Sequence, residues 1–249
     1  MEDRQEDPQF NDVAQSTALG ADDAAGENGR GGPAVHIRRR RITTANLLYA
    51  MRAPRWAIDA EVGILTFDAA INGDEARVEA IKQATKERKW IGIVGRSPGR
   101  GKTHLGLGAL WASWYYDLRL SYYNDDVPYG ESRAPHTYRF ARADVLLQKM
   151  VMAGISYDEL HEEAAGFRCL MLDEVGRNMN GQRADIFYAL TGDIYDRGGQ
   201  LIWTAPFTKL ELTEKLDGAF LDRANQGLIV ELPPGKSYRG HKPTATEGR

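Results

Sequence analysis

The chain has 249 residues, 42% of them hydrophobic and 27% charged, an ordinary composition with enough apolar residues for one sizeable core. A single cysteine, Cys169, excludes an intramolecular disulfide framework and a multi-cysteine zinc site. The net charge of −3 is unevenly spread: residues 1–35 carry −6, so the rest of the chain carries +3.

The chain begins on the acidic stretch Met1-Glu2-Asp3-Arg4 with no apolar segment behind it, so no secretory leader is expected. No apolar run approaches the roughly 18 residues of a membrane span, and one cysteine suits a reducing compartment; a cytoplasmic protein without a membrane partner is the expectation. Residues 1–35 are rich in Gly, Asp, Glu and Ala, too poor in apolar groups to offset the entropy of ordering, and are predicted to be a disordered acidic tail. Residues 36–52 hold the basic run Arg38-Arg39-Arg40-Arg41 and then a short helix capped by Thr43 or Thr44, a candidate partner-binding element that Pro54 should end. The arginines suit nucleic-acid phosphates, an acidic partner surface, or plain solvation.

From residue 74 helices and strands alternate. Helices are predicted over 74–89, 102–116, 142–152, 157–165 and 185–196, and strands over 90–94, 137–140, 169–172, 201–204 and 228–232. Residues 117–136 read as a long surface loop, and Leu212, Leu216 and Phe220 as one helix face. The tyrosines flanking that loop fit sheet or oligomer packing better than base stacking. Alternating strands and helices predict a three-layer α/β fold around a mostly parallel sheet.

Two motifs carry chemistry. In Gly95-Arg96-Ser97-Pro98-Gly99-Arg100-Gly101-Lys102-Thr103 a strand runs through a glycine-rich turn into a helix, the P-loop arrangement. Backbone N–H groups converge on phosphate oxygens, and the helix N-terminus adds positive charge. Lys102 would reach the β- and γ-phosphates of ATP, and the Thr103 hydroxyl would ligate Mg²⁺. The usual first glycine stands five residues before Gly101, where this chain has Arg96; either the loop starts one residue earlier or Arg96 replaces that glycine. The second motif, Cys169-Leu170-Met171-Leu172-Asp173-Glu174, ends an apolar strand in two acids. The carboxyl edge of such strands is where ligands bind in open α/β sheets. Asp173 would hold Mg²⁺ and Glu174 would polarise the attacking water.

These elements, in this order, resemble an AAA+ ATPase of the bacterial helicase-loader and IstB group, the DnaC/DnaI type. The resemblance rests on Ser97-Pro98-Gly99-Arg100-Gly101-Lys102-Thr103-His104-Leu105, Arg139-Phe140-Ala141-Arg142-Ala143-Asp144-Val145-Leu146-Leu147, Leu172-Asp173-Glu174-Val175-Gly176, Asp222-Arg223 and Ser237-Tyr238-Arg239. It covers roughly 53–240 and implies a P-loop NTPase fold with an AAA+ core over that span, followed by a flexible tail over 241–249. Pro98 through His104 would then bind nucleotide. Thr204 would take the sensor I place, although the asparagine usual there is missing. Arg223 would reach a neighbouring subunit's nucleotide as an arginine finger, and Arg239 would contact nucleotide in cis.

The function so implied is an ATP-hydrolysing assembly factor. It would form a homo-oligomer and couple its ATP state to a replicative helicase and single-stranded DNA. An IstB-like transposition helper and a nucleotide-gated binding module with little turnover are the alternatives. A small-molecule P-loop kinase would need an acceptor pocket and a lid, and no Leu-Ser-Gly-Gly-Gln stretch supports an ABC ATPase.

Overall fold

The computed structural model describes residues 44–59, 62, 74–123, 137–235 and 237. The acidic tail, Arg38–Arg41, Arg239 and the segment 241–249 lie outside the described residues. All described residues belong to one compact unit, Arg41–Arg249.

Five strands form one sheet in which every pairing is parallel: β1 (Ile91–Val94), β2 (Tyr138–Arg142), β3 (Cys169–Asp173), β4 (Gln200–Ala205) and β5 (Leu228–Glu231), in the order β2-β3-β4-β1-β5. The apolar runs on β1, β3 and β4 are buried throughout, as strands covered on both faces must be. The helices are α1 (Thr44–Ala50), α2 (Arg55–Asp59), α3 (Glu75–Lys86), α4 (Lys102–Tyr123), α5 (Ala143–Ala153), α6 (Tyr157–Ala165), α7 (Gln182–Asp196), α8 (Lys209–Lys215) and α9 (Gly218–Asn225). Helices α3 and α4 pack together on one side of the sheet, and α5, α6, α7 and α9 form the layer on the other.

The alternation of strand side chains decides what faces α4. Leu170, Leu172, Leu201, Trp203 and Ala205 enter the core beneath α5, α7 and α9. Their neighbours Met171, Asp173, Ile202 and Thr204 point the other way, and a Cβ on Gly106 of α4 would strike Met171 and touch Thr204. The acid at the end of β3 and the threonine of β4 are therefore delivered to the face from which α4 starts.

Four local expectations are corrected. Helix α4 continues to Tyr123 instead of stopping at Tyr116, and Asp117, expected in the loop, is a buried helical residue that accepts from Arg88. Pro54 does not simply end a helix; its carbonyl accepts from Ala57 and Ile58 as α2 begins, a position where its missing N–H costs nothing. Leu212, Leu216 and Phe220 do not share a helix, since Leu216 is extended and Asp217 caps a new one by accepting from the Ala219 N–H at 2.8 Å. Helix α7 starts at Gln182, three residues before the expected Asp185.

Candidate nucleotide site

Strand β1 ends beside β5, where Leu232 N–H donates to the Val94 carbonyl at 2.9 Å. Gly95 follows with φ of 146°, and a Cβ there would lie 2.7 Å from the Leu232 carbonyl oxygen. Only glycine fits that turn, so Gly95 serves the strand exit and Arg96 stands in the usual first-glycine position. The exposed Arg96 guanidinium grips Glu211 of α8 with two N–H groups, Nε to Oε2 at 2.9 Å and Nη2 to Oε1. Arg96 thus ties the loop to the helix that follows β4.

The rest of the loop is held from other sides. Arg100 is fully buried; its Nε donates to the Pro233 carbonyl at 2.8 Å and its Nη2 to Asp74 at 3.2 Å. Its side chain therefore turns into the body of the protein, and its backbone is what the phosphate loop can offer to a ligand. Gly99 has φ of 70°, and a Cβ on it would run into the Ser237 hydroxyl at 2.1 Å. The segment after β5 consequently crosses the loop. Pro98 is exposed, Gly101 and His104 are half-buried, and Lys102 Nζ donates to the Ser97 carbonyl at 2.9 Å.

Three side chains meet at the carboxyl edge of the sheet. Asp173 Oδ1 accepts from the Thr103 hydroxyl at 2.9 Å and from the Thr204 hydroxyl at 2.6 Å. Thr204 Oγ1 in turn accepts the Glu174 N–H at 3.0 Å. The Thr204 hydroxyl thus braces both acids. Burial pushes the Asp173 carboxyl above its usual range, although both threonine hydroxyls favour its charged form. A buried carboxylate beside a hydroxyl is a hard oxygen donor set that fits Mg²⁺. Among the described residues no group of three or more His, Cys, Asp or Glu side chains converges for a metal. Thr103 and Asp173 would therefore be the protein's share of the shell, with phosphate oxygens and water completing it.

Glu174 is the first residue past β3 and has φ of 62°, a left-handed conformation that non-glycine residues rarely adopt. Its carboxylate is paired with Arg177 at 2.9 Å and with Arg142, at the end of β2, at 3.6 Å. Sequence reading missed both arginines. The i, i+3 spacing of Glu174 and Arg177 was the available signal for one, whereas Arg142 arrives only through the β2–β3 register, in which it stands opposite Asp173. Arg223 lies apart from this cluster: its guanidinium sits 5.3 Å from the Tyr195 ring centroid, on α9 against α7.

No protein-family model and no curated protein matches this chain. Solved structures do. The DnaC helicase loader aligns with a TM-score of 0.53 at 15% identity, over 69% of this chain and 97% of that one. DnaI aligns with a TM-score of 0.52 at 16% identity, over 76% and 92%. AMPPCP-bound DnaA from Aquifex aeolicus aligns with a TM-score of 0.50 at 21% identity over 70% of this chain, which spans half the length of that protein. What these likenesses establish is the architecture: the chain has an α/β fold with a parallel five-stranded sheet, similar to that of DnaC, DnaI and DnaA.

Proposed function

We propose that this protein is an ATP-dependent AAA+ helicase loader, a Mg-ATP hydrolase that delivers a replicative helicase to single-stranded DNA. The observation that carries the ATPase part is the junction of Thr103, Asp173 and Thr204 beside the P-loop. In the reaction the backbone of 98–103 and Lys102 bind the phosphates, with Arg239 contributing in cis. Thr103 and Asp173 would hold Mg²⁺, which would supply neutralisation of phosphate charge. Glu174, released from Arg177 and Arg142, orients the attacking water, and Thr204 keeps both acids in place. Arg223 of a neighbouring subunit reaches the γ-phosphate in a homo-oligomer; its fixed charge and forked donors suit that task. The loader reading is supported by the near-complete coverage of the DnaC helicase loader and of DnaI. The ATPase domain is assigned to 53–240, with 36–52 as the partner element between it and the acidic tail. No described helix is long and apolar enough to cross a membrane.

The test combines turnover with capture. Lys102→Ala should lose nucleotide binding. Glu174→Gln should bind ATP but lower turnover by at least about a hundredfold, as loss of a water-orienting group does, and trap the ATP state. With Glu174→Gln as bait in host extract, a replicative helicase should be enriched over the Lys102→Ala control. Wild-type turnover in Glu174→Gln would remove it from the mechanism, and a transposase in place of the helicase would move the function to transposition.

A further inference from the structure

The corner between α1 and α2 is anchored by buried side chains and a backbone hydrogen bond. Leu47, Leu48, Met51 and Ala57 are buried, and the Phe140 N–H at the edge of β2 donates to the Met51 carbonyl at 2.8 Å. Each of the two helices also carries an exposed aromatic ring, Tyr49 at 74% and Trp56 at 51% exposure. They are the two aromatic residues of the stretch 36–58, which also holds six arginines and no acid. Arg52 is exposed in the turn between the rings, with φ of 59° and its N–H on the Tyr49 carbonyl at 3.0 Å. Arg55 is 84% exposed beside Trp56 and is paired with Asp59 at 2.8 Å. The Arg139 guanidinium on β2 is held below its usual range, by burial first and by the nearby charge of Arg52 next.

Exposed rings set among guanidiniums have a specific chemical complement. Bare rings stack on unpaired bases, and arginines follow the phosphates that link them. A duplex keeps its bases stacked and offers the rings nothing. A protein partner would have to supply an apolar pocket for each ring beside carboxylates for the arginines. We infer that the α1–α2 corner is a stacking platform for single-stranded nucleic acid, with Tyr49 and Trp56 each taking a base and Arg52 lying along the backbone. The inference rests on the DNA-handling part of the proposed function and gives it a place on the molecule.

The test is fluorescence anisotropy of labelled oligothymidylate with the full chain, ATP and Mg²⁺, with duplex DNA as competitor. Tyr49→Ala and Trp56→Ala should each weaken binding about tenfold or more, while Tyr49→Phe and Trp56→Phe keep most of it. Arg52→Ala should lower the slope of log affinity against log salt by about 0.7, one phosphate contact on a single strand. Nucleotide binding should be unchanged in every variant. Undiminished binding by the double alanine variant, equal loss in the phenylalanine variants, or equal competition by duplex overturns the inference. So does a wild-type chain that does not bind the oligonucleotide, or a double variant that loses helicase capture instead. Helicase capture is read separately. Its failure alongside ring-dependent DNA binding would end the loader reading and leave the platform standing.

Discussion

Asp173 is a buried carboxylate whose surroundings favour its neutral form, a conflict that a bound cation would relieve. Burial raises its pKa above the ordinary 3.8, so in the nucleotide-free protein the folded state is relieved when this group is protonated. The sign follows from linkage: stability declines as pH rises from 3.8 through the raised value, because the folded state then binds a proton that the unfolded state releases. Asp173→Asn removes the charge, leaves the shape and lets both threonine hydroxyls keep an acceptor. It should therefore melt higher than wild type at pH 7. The gap should narrow toward pH 3.8, and Mg-dependent turnover should be lost. A variant less stable at neutral pH, read by calorimetry without nucleotide, would show that the carboxylate is already compensated. The same scale explains what the sequence could carry of this site. Thr103, Asp173 and Thr204 are chemically conspicuous at the ends of their elements. That Thr204 donates to Asp173 depends on β3 and β4 lying side by side, in a register where Leu172 faces Trp203.

At the scale of elements, the phosphate loop is shaped by neighbours that come from far along the chain. Helix α8 begins with a capping box in which Glu211 accepts from the Thr208 N–H and hydroxyl, and the same carboxylate takes the Arg96 fork. The Arg96 hydrogen bonds, then the Thr208 backbone N–H, hold the Glu211 carboxyl down at about 2 against an ordinary 4.5. Here the sign is opposite to that of Asp173. A depressed pKa contributes stability above 4.5 that is lost as pH falls from 4.5 toward 2. Glu211→Gln should lower the melting temperature at pH 7 and converge on wild type as the solution is acidified. It should also loosen the P-loop, read as faster amide exchange at Arg96, Ser97 and Gly99. An unchanged exchange pattern would reduce Arg96 to a solvated charge. This coupling was hidden from sequence reading because 115 residues separate the partners. The element types were legible because each strand is short, apolar and bounded by turns. The break after α8 was not: the 212, 216, 220 spacing is helical, and only the Asp217 cap decides against continuity. The end of α4 lies beyond Tyr116 because helical structure runs on into a polar stretch, with Asp117 buried among Arg88, Arg168 and Tyr138.

The whole molecule has two ends, and α4 connects them. Its first residue, Lys102, belongs to the phosphate loop; Asp117, fifteen residues on, lies about 22 Å away along the helix axis. There Asp117 is almost fully buried and accepts from Arg88 Nη1 at 2.6 Å, from Arg168 Nε at 2.9 Å and from the Tyr138 hydroxyl. One carboxylate thus joins the turn after α3, the residue preceding β3 and the start of β2. Burial, and then the bond to Asp117, keep the Tyr138 hydroxyl protonated far above its usual range. The thiol of Cys169, next along the chain from Arg168, is pushed up to about 12 by burial, which disfavours its thiolate. The role of this end is to fix the amino ends of β2 and β3, so that their carboxyl ends present Arg142 and Asp173 in register at the other side of the sheet. Asp117→Ala would leave two guanidiniums and a buried phenol without their acceptor. Removing one partner of a buried ion pair costs about 3–5 kcal/mol, and the partial exposure of Arg88 and Arg168 argues for the lower bound. For a chain of this size about 3 kcal/mol lowers the melting temperature by about 6–12 °C. Below the new transition, ATP affinity should stay at the wild-type value, because every residue of the phosphate loop keeps its own anchors. A loss of ATP affinity at a temperature where the variant is still folded would mean that α4 transmits strain along its length, and that the two ends of the sheet are one mechanical unit.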